Sequence, residues 1–358
     1  SKSLGLDFYE IQSRQWTKSL FLFSVLILFY FLAIGFICFV FLVCFGFLLS
    51  KEQFLAPNFL MRLLLFNTGL SIFIAAFHFL EARTFGAKFI LKRLDARPPD
   101  SSDRYHKQFA NVLEEICIAS GVPKANPYVI PTFAINSMAL FGADKTPNVA
   151  VTEGLLAEFT RDEVQAVVSH EMAHIIRGDA FYITLVCSLA NFFERLRQAL
   201  EPEEPAPGKA GQGEGGGGSA LLYLAVSLSS VVMHLLSTLI SREREILADA
   251  TAVELCRNPK ALARAIYKAH LKNSFIGDFN LTYSPLFIVH PESKQICEGF
   301  LARLFSSHPP LMKRVKLLAN MVKTSPAKII EEVWEIQKNR EKARTLLPSR
   351  EEYVQATV

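Results

Sequence analysis

Between Ser19 and Ser50 the chain runs for 32 residues without a charged side chain. A helix needs only about 20 such residues to cross a hydrocarbon core, so the stretch predicts a membrane span. The competing reading is a secretory signal peptide. Its apolar run would be shorter and would end in a small-residue cleavage pattern, which this stretch lacks. Composition agrees with a span: 51% of the 358 residues are apolar, a high share for a soluble protein.

A second apolar segment, Leu63 to Leu80, follows a short loop carrying Lys51, Glu52 and Arg62, and the two segments predict a helical hairpin. Lys2, Arg14 and Lys18 precede the first span, and Arg83, Lys88, Lys92, Arg93 and Arg97 follow the second. The connecting loop is poorer in positive charge, which places the N-terminus and everything after Leu80 in the cytoplasm. The net charge of +4 is small, and many of the basic residues sit beside apolar segments, so composition does not argue for a nucleic-acid partner and none is expected. The six cysteines are scattered without a CxxC pair and read as packing residues.

Downstream, Ser101 to Ser120 has the pattern of a helix ended by Gly121. Short β-like runs, Tyr128–Ile130 and Asn148–Thr152, flank the looser segment Phe133–Phe141. Thr160 and Glu163 form a capping box before an amphipathic helix that Gly178 stops, and Asp179 can cap the next helix. Two further apolar segments, Ala180–Phe193 and Ser219–Ile240, are joined by a Pro/Gly-rich linker, 201–218. Beyond Ser241 the pattern is mostly helical, and Glu331–Arg344 looks like a solvated helix.

Within the capped helix lies His170-Glu171-Met172-Ala173-His174. Four residues is just over one helical turn, so both imidazoles project from one face and can share a metal. Glu171 can then reach a water on that metal and take its proton during attack on a peptide carbonyl. The pattern arises by chance in roughly one chain in a hundred of this composition, so its position on a capped helix matters.

A catalytic zinc needs a third protein ligand and an open position. The best source is Ser241-Arg242-Glu243-Arg244-Glu245-Ile246-Leu247-Ala248-Asp249. Glu245 and Asp249 are one turn apart, so Glu245 can ligate while Asp249 accepts a hydrogen bond from a ligating imidazole. Glu243 competes, but it lies about 160° away around a helix and has Leu247 at the position one turn on. The bland reading is a charged face beside a membrane, which pairing with the upstream motif outweighs. The shared metal also constrains topology. If only one of the two later apolar segments crossed the membrane, His170 and Glu245 would face opposite sides, so both cross or neither does.

At this point the residues resemble the M48 family of zinc metallopeptidases, from about Tyr128 to Leu318. About four transmembrane helices in two hairpins resemble its HtpX-like branch, whereas the related CAAX prenyl protease branch carries seven. The resemblance implies a mostly helical α+β fold: membrane hairpins with a cytoplasmic zincin-like (gluzincin) protease domain. It implies one Zn2+ per chain, held by His170, His174 and Glu245, with Glu171 as base and Asp249 orienting a ligand. A His-Pro-Pro and following arginine, present as His308, Pro309, Pro310 and Arg314, imply an oxyanion donor in His308 and a support for Glu245 in Arg314. The family's N-A-F-A-x-G segment, which pairs with extended substrate, reads Asn136-Ser137-Met138-Ala139-Leu140-Phe141-Gly142 here. The glycine is displaced by one position, which puts the local strand register in question and leaves Asn136 as a substrate-edge residue. Val149 to Leu156 resembles the family's strand leading to the active-site helix.

The domains that follow are a cytoplasmic N-terminal segment (1–18), a transmembrane hairpin (19–80) and the first half of the protease domain (81–179). A second hairpin (180–240), the second half of the protease (241–320) and a charged helical tail (321–358) complete the chain. The expected partners are protein or peptide substrates, membrane proteins among them, and the lipid bilayer, in a bacterial inner membrane with the site facing the cytoplasm. A CAAX prenyl protease and a non-proteolytic zinc-binding membrane scaffold or chaperone are the alternatives. His78 and His234 read as structural, since three ligands already complete the site.

Overall fold

A computed structural model of the chain describes residues 20–21, 23–36, 38–39, 58–142, 146–199, 227, 242–271, 286 and 310–345. The linker 201–218, the apolar segment 219–240 apart from residue 227, His234, His308 and residues 1–18 lie outside the described residues.

Helix α1 spans Phe23–Phe36 and α2 spans Phe59–Arg93, a 35-residue helix that contains the expected Leu63–Leu80 segment and runs well past it. At 1.5 Å per residue α2 is about 52 Å long, and by length and composition it could cross a membrane. Its faces are reversed from those of a water-soluble helix. Asn67, Ser71, Ala75, His78, Ala82 and Gly86 are buried on the inner side. Phe73, Phe77 and Leu80 are 69%, 68% and 65% exposed. The inner face meets α1, where the Tyr30 hydroxyl and His78 Nδ1 lie 2.8 Å apart and Asn67 Nδ2 donates to the Phe31 carbonyl.

The remaining elements form one mixed domain. Helix α3 (Arg104–Ser120) starts at Asp103, whose side chain accepts from the Tyr105 and His106 amides, and ends at Gly121 in a left-handed conformation (φ 69°). Its start is three residues later than the sequence pattern implied. Strands β1 (Asn126–Ile130), β2 (Ser137–Phe141) and β3 (Pro147–Thr152) make a sheet of order β1-β3-β2. β1 runs parallel to β3 and β2 antiparallel to it. The segment expected to be looser thus contains a regular strand. Its register is continuous from Ser137↔Val151 to Phe141↔Pro147, with the displaced Gly142 donating to the Thr146 carbonyl just past the ladder.

Short helix α4 (Glu153–Glu158) leads to α5 (Arg161–Ile176), which carries the full capping box between Thr160 and Glu163. Gly178, at φ 71°, ends that run, and α6 (Asp179–Ala199) departs at 84°. Asp179 opens α6 as its first helical residue instead of capping it from outside, and α6 outruns the expected Ala180–Phe193 segment. Helices α7 (Arg242–Cys256), α8 (Pro259–Leu271), α9 (Leu311–Met321) and α10 (Pro326–Thr345) complete the described chain. The tail helix is not solvated all round: Ile329 and Val333 are fully buried, while Trp334 is exposed.

The sheet is covered on both faces, so β2 and β3 are almost wholly buried and mostly apolar. Ala139, Val149 and Val151 join a core with Val164, Val167 and Val168 of α5 and Leu262 and Ile266 of α8. Met138, Leu140 and Ala150 face Ile90 and Leu91 of α2 and Ile183 and Cys187 of α6. The end of α2 and the start of α6 are therefore built into the same core as the sheet. They cross closely: a Cβ on Gly86 would come within 3.0 Å of Ser188.

Candidate metal centre

The capping box anchors α5 so that its buried length passes between the sheet and α7. His170, His174 and Glu245 come together there, all three buried, with one ligand atom of each within 4.8 Å of the others. The separations are close: His170 Nε2 to His174 Nε2 3.3 Å, His174 Nε2 to Glu245 Oε1 3.3 Å, and His170 Nε2 to Glu245 Oε2 3.5 Å. Tetrahedral ligands at roughly 2.0–2.1 Å from a zinc ion stand about 3.3 Å apart, so this donor set fits the ion in type and in spacing. Two facing imidazole nitrogens and a carboxylate in a dry site are the donor types that a shared cation holds together.

Behind the triangle, Asp249 Oδ1 lies 3.0 Å from His170 Nδ1, the nitrogen turned away from the other donors. Arg314 grips the same carboxylate through Nε and Nη2, and its Nη1 is 3.4 Å from Glu245 Oε2. Arg314 thus serves Asp249 first and Glu245 second. Burial works against the Asp249 carboxylate, but Arg314, with help from His170, outweighs it and lowers its pKa. Burial also opposes the His170 imidazolium, yet contacts with Asp249 and Glu245 prevail and push its pKa up to about 9.

Glu171 is buried beside the triangle, on the helix that carries both imidazoles. Burial raises its carboxyl above the usual glutamate value, with His170, His174 and the Ser137 hydroxyl pulling part of the way back. A base poised upward in this way is better matched to taking a proton near neutral pH.

Among the described residues, no strand pairs with the outer edge of β2. The Thr152 amide donates to the Asn136 carbonyl and the Gly142 amide to the Thr146 carbonyl, so in an antiparallel ladder the even-numbered residues between them face β3. Ser137, Ala139 and Phe141 turn their backbone groups to the other side. There the Ser137 amide donates to Asn136 Oδ1 and the Phe141 amide to Thr184 Oγ1 of α6. The Ala139 amide and the Ser137 and Ala139 carbonyls line what is left of the edge. Asn136 is fully buried, and its backbone is tied to Thr152.

The sequence-derived residues His170, Glu171, His174, Glu245, Asp249 and Arg314 are all assembled at this centre. His308 lies outside the described residues, as does the side chain of the competing Glu243. Sequence reasoning passed over Ser137, whose hydroxyl meets Glu171, and Thr184, which closes one end of the open edge. The only cue for either was a small hydroxyl in an otherwise apolar stretch.

The profile of Peptidase family M48 matches residues 104–322. Similar proteins include a protein named Protease HtpX homolog from Syntrophobacter fumaroxidans, 32% identical over 241 residues, covering 66% of this chain and 83% of that protein. Another, from Thermoanaerobacter pseudethanolicus and of the same name, is 30% identical over 271 residues, 72% of this chain and 87% of that one. The crystal structure of S. mikatae Ste24p aligns with a TM-score of 0.43 at 18% identity, over 87% of this chain and 67% of that one. A buried His-His-Glu centre on a mixed α+β domain defines a metallopeptidase. The chain belongs to peptidase family M48.

Proposed function

We propose that the chain is an integral-membrane zinc endopeptidase that hydrolyses peptide bonds of membrane or membrane-proximal proteins, as part of protein quality control. The observation that carries this reading is the triangle of His170, His174 and Glu245 at tetrahedral spacing, with Glu171 buried beside it. His170, His174 and Glu245 would hold the zinc ion, which would supply Lewis-acid activation of the attacking water. Glu171 takes the proton of the attacking water and passes it to the leaving amine. Asp249 and Arg314 hold His170 and Glu245 in place. His308 donates a hydrogen bond to the oxyanion of the tetrahedral carbon.

Substrate adds as an antiparallel strand along the open edge of β2, next to Asn136, using the Ser137 carbonyl and the amide and carbonyl of Ala139. Main-chain pairing of this kind binds extended or unfolded chain with little regard to side chains. It suits an enzyme that clears damaged proteins. The membrane assignment is supported by the uncharged run Ser19–Ser50 and by α2, whose apolar residues face outward and whose polar residues face inward. Two hairpins and a cytoplasmic site complete the proposal, resting on charge flanks and on the need for His170 and Glu245 to share one side, and a bacterial inner membrane follows from the likeness to HtpX homologues.

The test is metal analysis and peptidase assay on the purified full chain and its Glu171→Gln variant. One zinc per chain and chelator-sensitive cleavage of an unfolded membrane protein are expected, with cleavage by the variant lower by about 10²–10⁴-fold at unchanged zinc content. Full activity in Glu171→Gln would refute the mechanism.

A further inference from the structure

The Ser137 hydroxyl donates to Glu171 Oε1 at 2.6 Å, and both side chains are buried, at 0% and 1% exposure. A hydroxyl bonding a carboxylate at this distance is a charge-assisted contact, stronger and more directional than an ordinary one. It also spans two elements. Glu171 belongs to α5, which carries the metal-binding imidazoles, whereas Ser137 opens β2, along whose free edge the substrate is proposed to lie.

A glutamate on a helix has three side-chain torsions to fix, and packing alone leaves the terminal carboxylate free to turn. Ser137 takes one of the two oxygens from the strand side. That leaves the second oxygen for proton transfer and sets the carboxylate plane relative to β2. The Ser137 amide is in turn held by Asn136 Oδ1, and the Asn136 backbone by Thr152, so the hydroxyl is presented by a segment tied to the centre of the sheet. Ser137 thereby brings the base and the edge for the scissile peptide into one frame. A misplacement of about 1 Å between such groups can cost on the order of a hundredfold in rate.

We propose that Ser137 is a positioning residue that fixes the Glu171 carboxylate relative to the substrate-pairing edge of β2. The proposal rests on the reading of Glu171 as the base. It predicts an effect on turnover, not on substrate binding or metal retention, because the substrate-facing groups of Ser137 are its backbone atoms and its side chain touches no metal ligand.

The experiment compares full-length wild type, Ser137→Ala, Ser137→Cys and Glu171→Gln for kcat, KM and zinc per chain. Ser137→Ala should lower kcat roughly tenfold or more, with KM within about twofold and zinc content unchanged. Ser137→Cys, near in size and a weak donor, should fall between wild type and Ser137→Ala. A wild-type kcat in Ser137→Ala, or a loss matched by lost zinc or raised KM in both Ser137 variants, would overturn the positioning role. An inactive Glu171→Gln beside a fully active Ser137→Ala sinks this inference alone. A fully active Glu171→Gln removes the base assignment and the inference with it.

Discussion

Arg314 closes on Asp249 through two bonds, Nε to Oδ2 at 2.8 Å and Nη2 to Oδ1 at 2.7 Å, although 65 residues separate them in sequence. Both are buried, and the same Oδ1 lies 3.0 Å from His170 Nδ1. The guanidinium therefore fixes the group that fixes a metal ligand. Arg314→Lys keeps the charge but cannot present two parallel donors. It should weaken zinc binding about ten- to a hundredfold, read by competition with a chromogenic chelator, at unchanged helix content. Arg314→Ala leaves a buried carboxylate uncompensated and should destabilise the fold by about 3–5 kcal/mol. Wild-type zinc affinity in Arg314→Lys would show that Asp249 needs no fork.

Proton balance at the same site sets a pH dependence. In the metal-free chain the His170 pKa stands raised from 6.5 to about 9. A raised value means the imidazolium stabilises the metal-free fold fully below pH 6.5, and the contribution fades as pH climbs towards about 9. Zinc needs the neutral ring, so in that window its binding expels a proton, and its affinity grows with pH while metal-free stability declines. Calorimetric titration of zinc into chelator-treated protein should show heats that depend on the buffer's ionisation enthalpy. Heats independent of buffer across this window would contradict it.

Gly154 tests the support beneath Asn136. Its amide donates to the Thr132 carbonyl, and a Cβ there would run into the Phe133 and Ala134 backbone carbonyls. Those are backbone atoms, so no side-chain rotation relieves the clash, and the loop entering β2 must move. Gly154→Ala should lower the melting temperature in detergent by several degrees and reduce cleavage further than the stability loss explains, because Asn136 and Ser137 lie two and three residues beyond Ala134. Unchanged melting and activity would mean the loop is softer than its contacts indicate.

What the sequence disclosed and what it withheld divide along physical lines. His170, His174 and Glu171 were legible because a helical period fixes their faces whatever surrounds them. Glu245 and Asp249 followed from the same period once a third ligand was required. β2 was not legible. Its strand is buried on both faces, so Ser137–Phe141 has no polar alternation to announce it, and only pairing with β3 reveals the register. The tail helix misled in the opposite direction: its charges mask Ile329 and Val333, a single turn apart, which seat it on the core. Ser137 and Thr184 act through contacts 34 and 43 residues away, a distance at which no local pattern operates.

Lys268 belongs to the same withheld class and carries the last prediction. It sits on α8 with only 3% exposure, its Nζ 2.7 Å from Glu163 Oε2. That oxygen also accepts the Thr160 amide in the capping box of α5, and Arg264 Nε lies 3.5 Å from the other one. Lys268→Met keeps the length of the side chain but leaves Glu163, fully buried, facing Arg264 at the longer distance. The expected cost is about 3–5 kcal/mol, because one charge of a buried pair has lost its partner. Glu163→Gln on its own removes the carboxylate that Lys268 Nζ meets at 2.7 Å and should cost a similar amount. The double variant Lys268→Met/Glu163→Gln should cost much less than the two singles added. Glutamine still accepts the Thr160 amide, and both charges of the buried pair are removed together. Glu163 is two turns before His170 on one face of α5, so the singles should also lower zinc occupancy in detergent, and the double should restore it. Strict additivity of the two substitutions, in unfolding or in zinc content, would mean that α8 holds the active-site helix by apolar packing alone.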